Sequence, residues 1–138
     1  MRPLLLLILF LLTACADKIT SSELHHLNGY WEIEKVVFPE GQTKEYNLNT
    51  TIDFITLEQN KGYRKKVQPR LDGTYITSDD AATFRLIIDN GSYKLHYSND
   101  LSDWEEQILE ISADKLTVVS EENIRYYYKR HRPIAAEK

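Results

Sequence analysis

Few side chains in this sequence are spaced to do chemistry together. His25-His26 could bind a metal, but adjacent residues diverge on a helix. No Cys, Asp or Glu stands at a zinc-like spacing from them, so exposed helix positions account for them better. His96 falls on the polar face of its run, and His131 sits in a basic tail. The acidic pairs Asp79-Asp80, Glu105-Glu106 and Glu121-Glu122 read as solvated turn residues. A glycosidase couple would need a defined separation and one raised pKa. No nucleophile elbow, P-loop or HExxH motif occurs. The residues therefore predict no catalytic set, no metal site and no cofactor.

Two clusters suit recognition instead. Arg64-Lys65-Lys66 with Arg70 could meet anionic headgroups, polysaccharide or an acidic partner. The plainer reading, a charged edge strand that discourages sheet-to-sheet association, is preferred. Tyr126-Tyr127-Tyr128 could be a ligand platform, since successive strand side chains point to opposite faces. A last strand with aromatics on both sides, one face filling the core, is the preferred reading.

The elements that must hold these residues belong to one domain. The chain has 138 residues, with 17 Lys+Arg against 21 Asp+Glu, one Cys and nine Tyr. That length suits a single core. Hydrophobic residues at 42% and charged residues at 28% are ordinary globular values, which argues against wholesale disorder. A pI near 5.6 argues against a nucleic-acid binder driven by a broad basic surface.

Residues 1–14 read as a signal peptide: Arg2 supplies the charge, and Leu4 to Leu12 run without a polar residue. Nine helical residues reach about 14 Å, short of the roughly 30 Å of a bilayer core. Leu12-Thr13-Ala14-Cys15 resembles the bacterial lipobox. The resemblance implies diacylglycerol on the Cys15 thiol, cleavage before it, and a further acyl chain (palmitate, for example) on the new amine. Two or three such chains, at about 0.8 kcal/mol per buried CH2, make a stable anchor. The mature chain would then have 124 residues, with 16 basic against 21 acidic side chains. Ala16 rather than Asp follows the Cys, which implies sorting to the outer membrane of a bacterial envelope. Residues 15–22 form a polar tether.

Thr20-Ser21-Ser22-Glu23 has capping-box spacing, Leu24 and Leu27 make an i, i+3 pair, and Asn28-Gly29 supplies a stop, so one or two helical turns are expected. Short β-like runs follow at 30–38, 52–58, 63–68, 74–77, 82–89, 92–97, 105–112, 115–120 and 123–130. Trp31, Ile33 and Val37 are expected on one face of the first. Asn90-Gly91 predicts a type I′ hairpin. The polar stretch 40–50 is the longest loop. Tight connections require antiparallel neighbours, so the fold class is all-β, an antiparallel barrel or sandwich, with a tail at 133–138.

Asn28-Gly29-Tyr30-Trp31-Glu32-Ile33 resembles the first-strand signature of lipocalins and of small lipocalin-like bacterial lipoproteins. The resemblance implies an antiparallel up-and-down barrel of eight to nine strands over residues 23–132, in which Gly29 and Trp31 close the base and an Arg from the last strand packs over the indole. Arg130, nearest the strand end, is preferred to Arg125. It also implies a loop over the mouth, which the stretch 40–50 would supply. The chain lacks the disulfides and C-terminal helix of larger lipocalins, since Pro133 follows the last strand closely.

The expected function is a lipid-anchored barrel that binds a small apolar or amphipathic ligand at its mouth. Tyr46, Leu48, Phe84, Tyr126 and Tyr128 are the candidate contacts, with Tyr46 and Leu48 acting as a lid. Trp31, Ile33, Phe54, Phe84, Leu86, Ile88, Leu95 and Leu116 are expected to fill the interior. The alternative is a filled barrel that docks an envelope protein or inhibits an enzyme.

Overall fold

A computed structural model of the chain describes residues 18–133. The signal segment, Cys15 and its lipidation, and the end of the tail lie outside the described residues.

A 3-10 helix, Ser21–Leu27, precedes nine strands. They are β1 (Gly29–Val37), β2 (Thr43–Glu45), β3 (Ile52–Glu58), β4 (Lys61–Pro69), β5 (Tyr75–Asp89), β6 (Ser92–Ser98), β7 (Asp103–Ile111), β8 (Lys115–Ser120) and β9 (Arg125–Arg130). All neighbours are antiparallel, and β1 pairs with β9 as well as β3, closing an eight-stranded barrel to which β2 is an extra strand. The expected capping box does not form: Thr20 makes no side-chain cap bond, and its hydroxyl meets that of Ser22 instead.

The turns follow their residues. Asn90 (φ 49°) and Gly91 (φ 80°) take the two positive angles that a type I′ turn needs, and Asp89 faces Ser92 across it. Gln59-Asn60 makes an equally tight turn with Glu58 opposite Lys61, so β4 starts two residues before the run at 63–68.

Irregularities aim the side chains. A bulge at Glu34 shifts the β1–β9 register, and the Glu34 carbonyl accepts a bond from the Tyr46 N–H. The bulge turns Val36, not the expected Val37, inward opposite Tyr126. The runs at 74–77 and 82–89 are one strand: Val67 pairs with Thr77 but Lys65 with Ala81, so Ser78–Asp80 bulge without breaking β5. Polar Ser78-Asp79-Asp80 resembled a turn because bulge and turn share a composition. Beyond this corner the β4–β5 tip folds back over the outer wall, where Tyr75 stacks on Tyr30 at 4.0 Å and 6°.

The interior is packed by Leu24 and Leu27 of the helical turn with Trp31, Ile55, Phe84, Leu86, Leu95, Tyr97, Ile108, Leu116 and Val118. Gly62 leaves room for the Phe84 ring, which a Cβ there would strike. Two expected core residues are elsewhere. Phe54 pairs with Tyr30 on the outer face, because Trp31 opposite Asp53 fixes the inward parity of β3. Ile88 has the inward parity but lies at the strand end, 60% exposed.

Candidate ligand site at the barrel mouth

The base is sealed by one arginine. The Arg130 guanidinium lies 3.9 Å from the centroid of the buried Trp31 ring. Its Nε donates to the Ala113 carbonyl at 2.8 Å, Nη1 to Asn28 at 2.7 Å and Nη2 to His26 at 2.6 Å. The Trp31 indole N–H donates to the Leu27 carbonyl at 2.9 Å. Gly29 has φ +127°, and a Cβ there would strike Arg130 Nη1 at 2.5 Å, so the glycine of Gly-x-Trp is required twice over. Arg125 is exposed.

The opposite end is built differently. Strand parity turns Arg64 and Lys66 of β4 inward, beside Asp53 of β3 and facing Glu106 of β7 and Tyr128 of β9. Arg64 Nη2 lies 2.8 Å from Asp53 Oδ2, and Arg64 Nη1 lies 3.4 Å from Glu106 Oε2. Arg64 also donates to the Tyr128 hydroxyl, and its guanidinium carbon lies 5.1 Å from that ring's centroid. Lys66 Nζ, at the rim, meets Asp53 Oδ1 at 2.6 Å. The side chains of Asp53, Arg64 and Glu106 are only 4%, 14% and 14% exposed.

Burial and pairing set the charges. Burial pushes the Asp53 carboxyl up, but Arg64 and then Lys66 more than offset this, holding it below its usual range. Burial raises the Glu106 carboxyl, and its longer contact to Arg64 does not restore it. Burial opposes the charge on Arg64, yet Tyr128 and Asp53 keep it firmly protonated. Burial pushes the Tyr97 phenol up to about 12 and raises those of Tyr126 and Tyr128, so all three remain hydrogen-bond donors at neutral pH. The Tyr97 hydroxyl is buried without a partner.

Beside this cluster, along β4 and the β5 bulge, lies a concavity of about 490 Å³ lined by Asp53, Arg64, Lys65, Lys66, the bulge segment 79–82 and Asn99; Glu106 and Tyr128 do not line it. Sequence reasoning missed it. The expectations of a charged edge strand or surface patch at Arg64 and of a solvated turn residue at Glu106 are corrected by the inward parity of their strands within the closed sheet. The signal was present: once Gln59-Asn60 is the turn, Asp53 faces Lys66 and Ile55 faces Arg64, so complementary charges fall on one face.

The expected contacts separate. Tyr128 belongs to the cluster, and partly buried Tyr126 packs against the core close to Tyr46 and Glu106. Phe84 lies deeper, edge-on to Tyr97 at 5.4 Å between centroids. Leu48 is 93% exposed and covers nothing. The stretch expected as a loose lid is instead tied to the upper edge of β1, where Lys35–Val37 pair with Thr43–Glu45 of β2. His96 pairs with Glu105 on the outer face at 3.1 Å. Among the described residues no group of three His, Cys, Asp or Glu is placed to hold a metal ion. No helix of the described residues is long and apolar enough to cross a membrane.

A closed antiparallel eight-stranded barrel whose first-strand Trp is roofed by a last-strand Arg defines a lipocalin-type barrel. The family profile of the lipocalin-like domain matches residues 27–118, and the chain belongs to that family. Among solved structures, apocrustacyanin C1 superposes with a TM-score of 0.50 at 12% identity, covering 84% of this chain and 67% of its own. A lipocalin-like protein from Bacteroides uniformis covers 77% of this chain and 99% of its own, with a TM-score of 0.49 at 9% identity. At 12% identity the likeness to apocrustacyanin C1 concerns the fold alone. No curated protein sequence matches the chain.

Proposed function

We propose that the protein is a non-enzymatic, lipid-anchored binding protein of the bacterial envelope that holds one small amphipathic molecule by its polar head at the barrel mouth. The observation that carries this reading is the charged cluster at the mouth: Arg64 reaching inward to Asp53, Glu106 and Tyr128 beside an open concavity. Membership of the lipocalin-like family supports small-ligand binding. The charged lining favours a ligand with a polar head over a wholly apolar one, because an apolar group would bury these charges without replacing their water. Anchoring rests on the lipobox resemblance at Cys15, and outer-membrane placement on Ala16.

A thermal-shift screen of fatty acids, lysophospholipids, sterols and haem-like compounds tests the reading. A ligand at a hundred times its Kd stabilises by about 2.7 kcal/mol, a Tm rise on the order of 10 °C for a domain of this size. Lys66→Gln at the rim should reduce the rise for anionic heads.

One observation favours the docking alternative. Leu48 and Leu101 are 93% and 95% exposed on the loops after β2 and β6. If no compound moves the midpoint, and deleting residues 42–48 leaves function in cells unchanged, docking of an envelope protein takes the place of ligand binding.

A further inference from the structure

The back-folded β4–β5 tip creates a second concavity outside the barrel. It holds about 240 Å³ between Asn49, Glu32 of β1, the tip residues Pro69–Tyr75 and the segment His131–Pro133. It shares no lining residue with the mouth. Two of its wall residues carry buried polar atoms with no hydrogen-bond partner, the Tyr75 hydroxyl and His131 Nε2. Buried polar atoms are rarely left unpaired, so two in one pocket wall point to a ligand that completes them.

The chemistry of that ligand follows from the wall. His131 Nδ1 lies 3.1 Å from Glu32 Oε1, and the His131 side chain is only 10% exposed. In the neutral ring, a carboxylate there favours the tautomer with hydrogen on Nδ1, which leaves Nε2 as an acceptor. Burial raises the Tyr75 phenol, which stays a donor. One acceptor and one donor together match a hydroxyl group, which gives one hydrogen bond and takes another. Two of the charges at the rim are already engaged: Glu32 also meets Lys129 at 3.7 Å, and Arg132 pairs with Asp114 at 2.6 Å. An anion would face the Nε2 lone pair and the Glu32 carboxylate, and a cation would find no free carboxylate. The volume is several times the roughly 30 Å³ share of one water and below the roughly 300 Å³ at which drug-sized sites begin.

We infer that this outer pocket binds a neutral, hydroxyl-rich ring, the chemistry of a sugar residue, through Tyr75 and His131. The source is either a free monosaccharide or a residue of a glycan chain.

Long-range ¹H–¹⁵N spectra of the histidine rings, recorded on the full chain in a sugar-free detergent, test this directly. Glucose and N-acetylglucosamine are titrated first, then a soluble oligosaccharide of each. The inference expects the His131 Nε2 resonance to move to saturation in the millimolar range or below, with Tyr75→Phe weakening the effect at least fivefold while the fold is retained. Saturation by the monosaccharides assigns a free sugar; saturation by the oligosaccharides alone assigns a glycan. An unmoved Nε2 resonance, an equal response in Tyr75→Phe, or a response to inorganic phosphate in place of sugar overturns it. So does a bound ordered water that none of the sugars displaces.

Discussion

The two ends of the barrel each hold an arginine, and they use it in opposite ways. At the base, Arg130 lies flat on Trp31 and spends its donors on three backbone carbonyls, those of His26, Asn28 and Ala113. It staples the helical turn and the β7–β8 turn to the first strand, and no acid is needed. At the mouth, Arg64 spans from β4 to β7 and β9 and is balanced by carboxylates and phenols. Carbonyls cannot exchange partners without unfolding a turn, whereas side-chain partners can move aside for an incoming group. The base is therefore structure, and the mouth is where a ligand can compete.

The largest effect expected from this contrast is at the base. Trp31→Ala should cost about 3–5 kcal/mol, as for other large aromatics lost from packed cores. It would be measured by urea unfolding with an unchanged m-value. A loss below about 1 kcal/mol, typical of surface sites, would mean that the seal does not hold the base together.

At the mouth, Asp53→Asn should cost about 2–4 kcal/mol at neutral pH, because the Arg64 charge stays buried with one carboxylate gone. The pH dependence has a sign. Asp53 is held below its unfolded value near 3.8, so its contribution is present above that pH and fades as pH falls through the folded value. Glu106 is raised above its unfolded value near 4.5, so it detracts from stability once pH rises through its folded value. Glu106→Gln should thus be neutral or stabilising at neutral pH, and any advantage should vanish below pH 4.5. Unfolding curves from pH 3 to pH 8 on both variants would show opposite slopes across roughly those windows. Parallel slopes would dissolve the distinction between the two carboxylates.

At the base, a smaller effect than that of Trp31→Ala is expected from Arg130→Lys, about 1–2 kcal/mol, since an ammonium keeps the charge but cannot stack on the indole and reach three carbonyls together. Calorimetric Tm values would measure it. A change as large as that of Trp31→Ala would place the energy of the base in the arginine rather than the packing.

The base was more legible in the sequence than the mouth, for a physical reason. Gly29 and Trp31 stand two apart at a strand start, where a positive φ and a buried indole each demand a particular residue, and Arg130 ends the last strand. The Asn90-Gly91 hairpin was readable for the same reason: the conformation admits few residue types. Arg64 and Glu106 were misplaced because their neighbours Lys65, Lys66 and Glu105 are charged too, which hides the two-residue period that marks an inward face. Phe54 was misplaced because aromatics line both faces of β3's neighbourhood, so apolar character alone did not mark the core. Only cross-strand register decides these cases, and register depends on turns and bulges such as those at Gln59-Asn60 and Glu34.

The most direct test of the central claim is native mass spectrometry of the protein purified from its own envelope, as wild type and as Lys66→Glu. The account predicts a wild-type mass that includes one small amphipathic molecule with a polar head, with affinity for that molecule falling at least tenfold when the rim lysine is reversed, a change equivalent to about 1.4 kcal/mol. A bare wild-type mass, or a bound molecule held equally by both proteins, would contradict it.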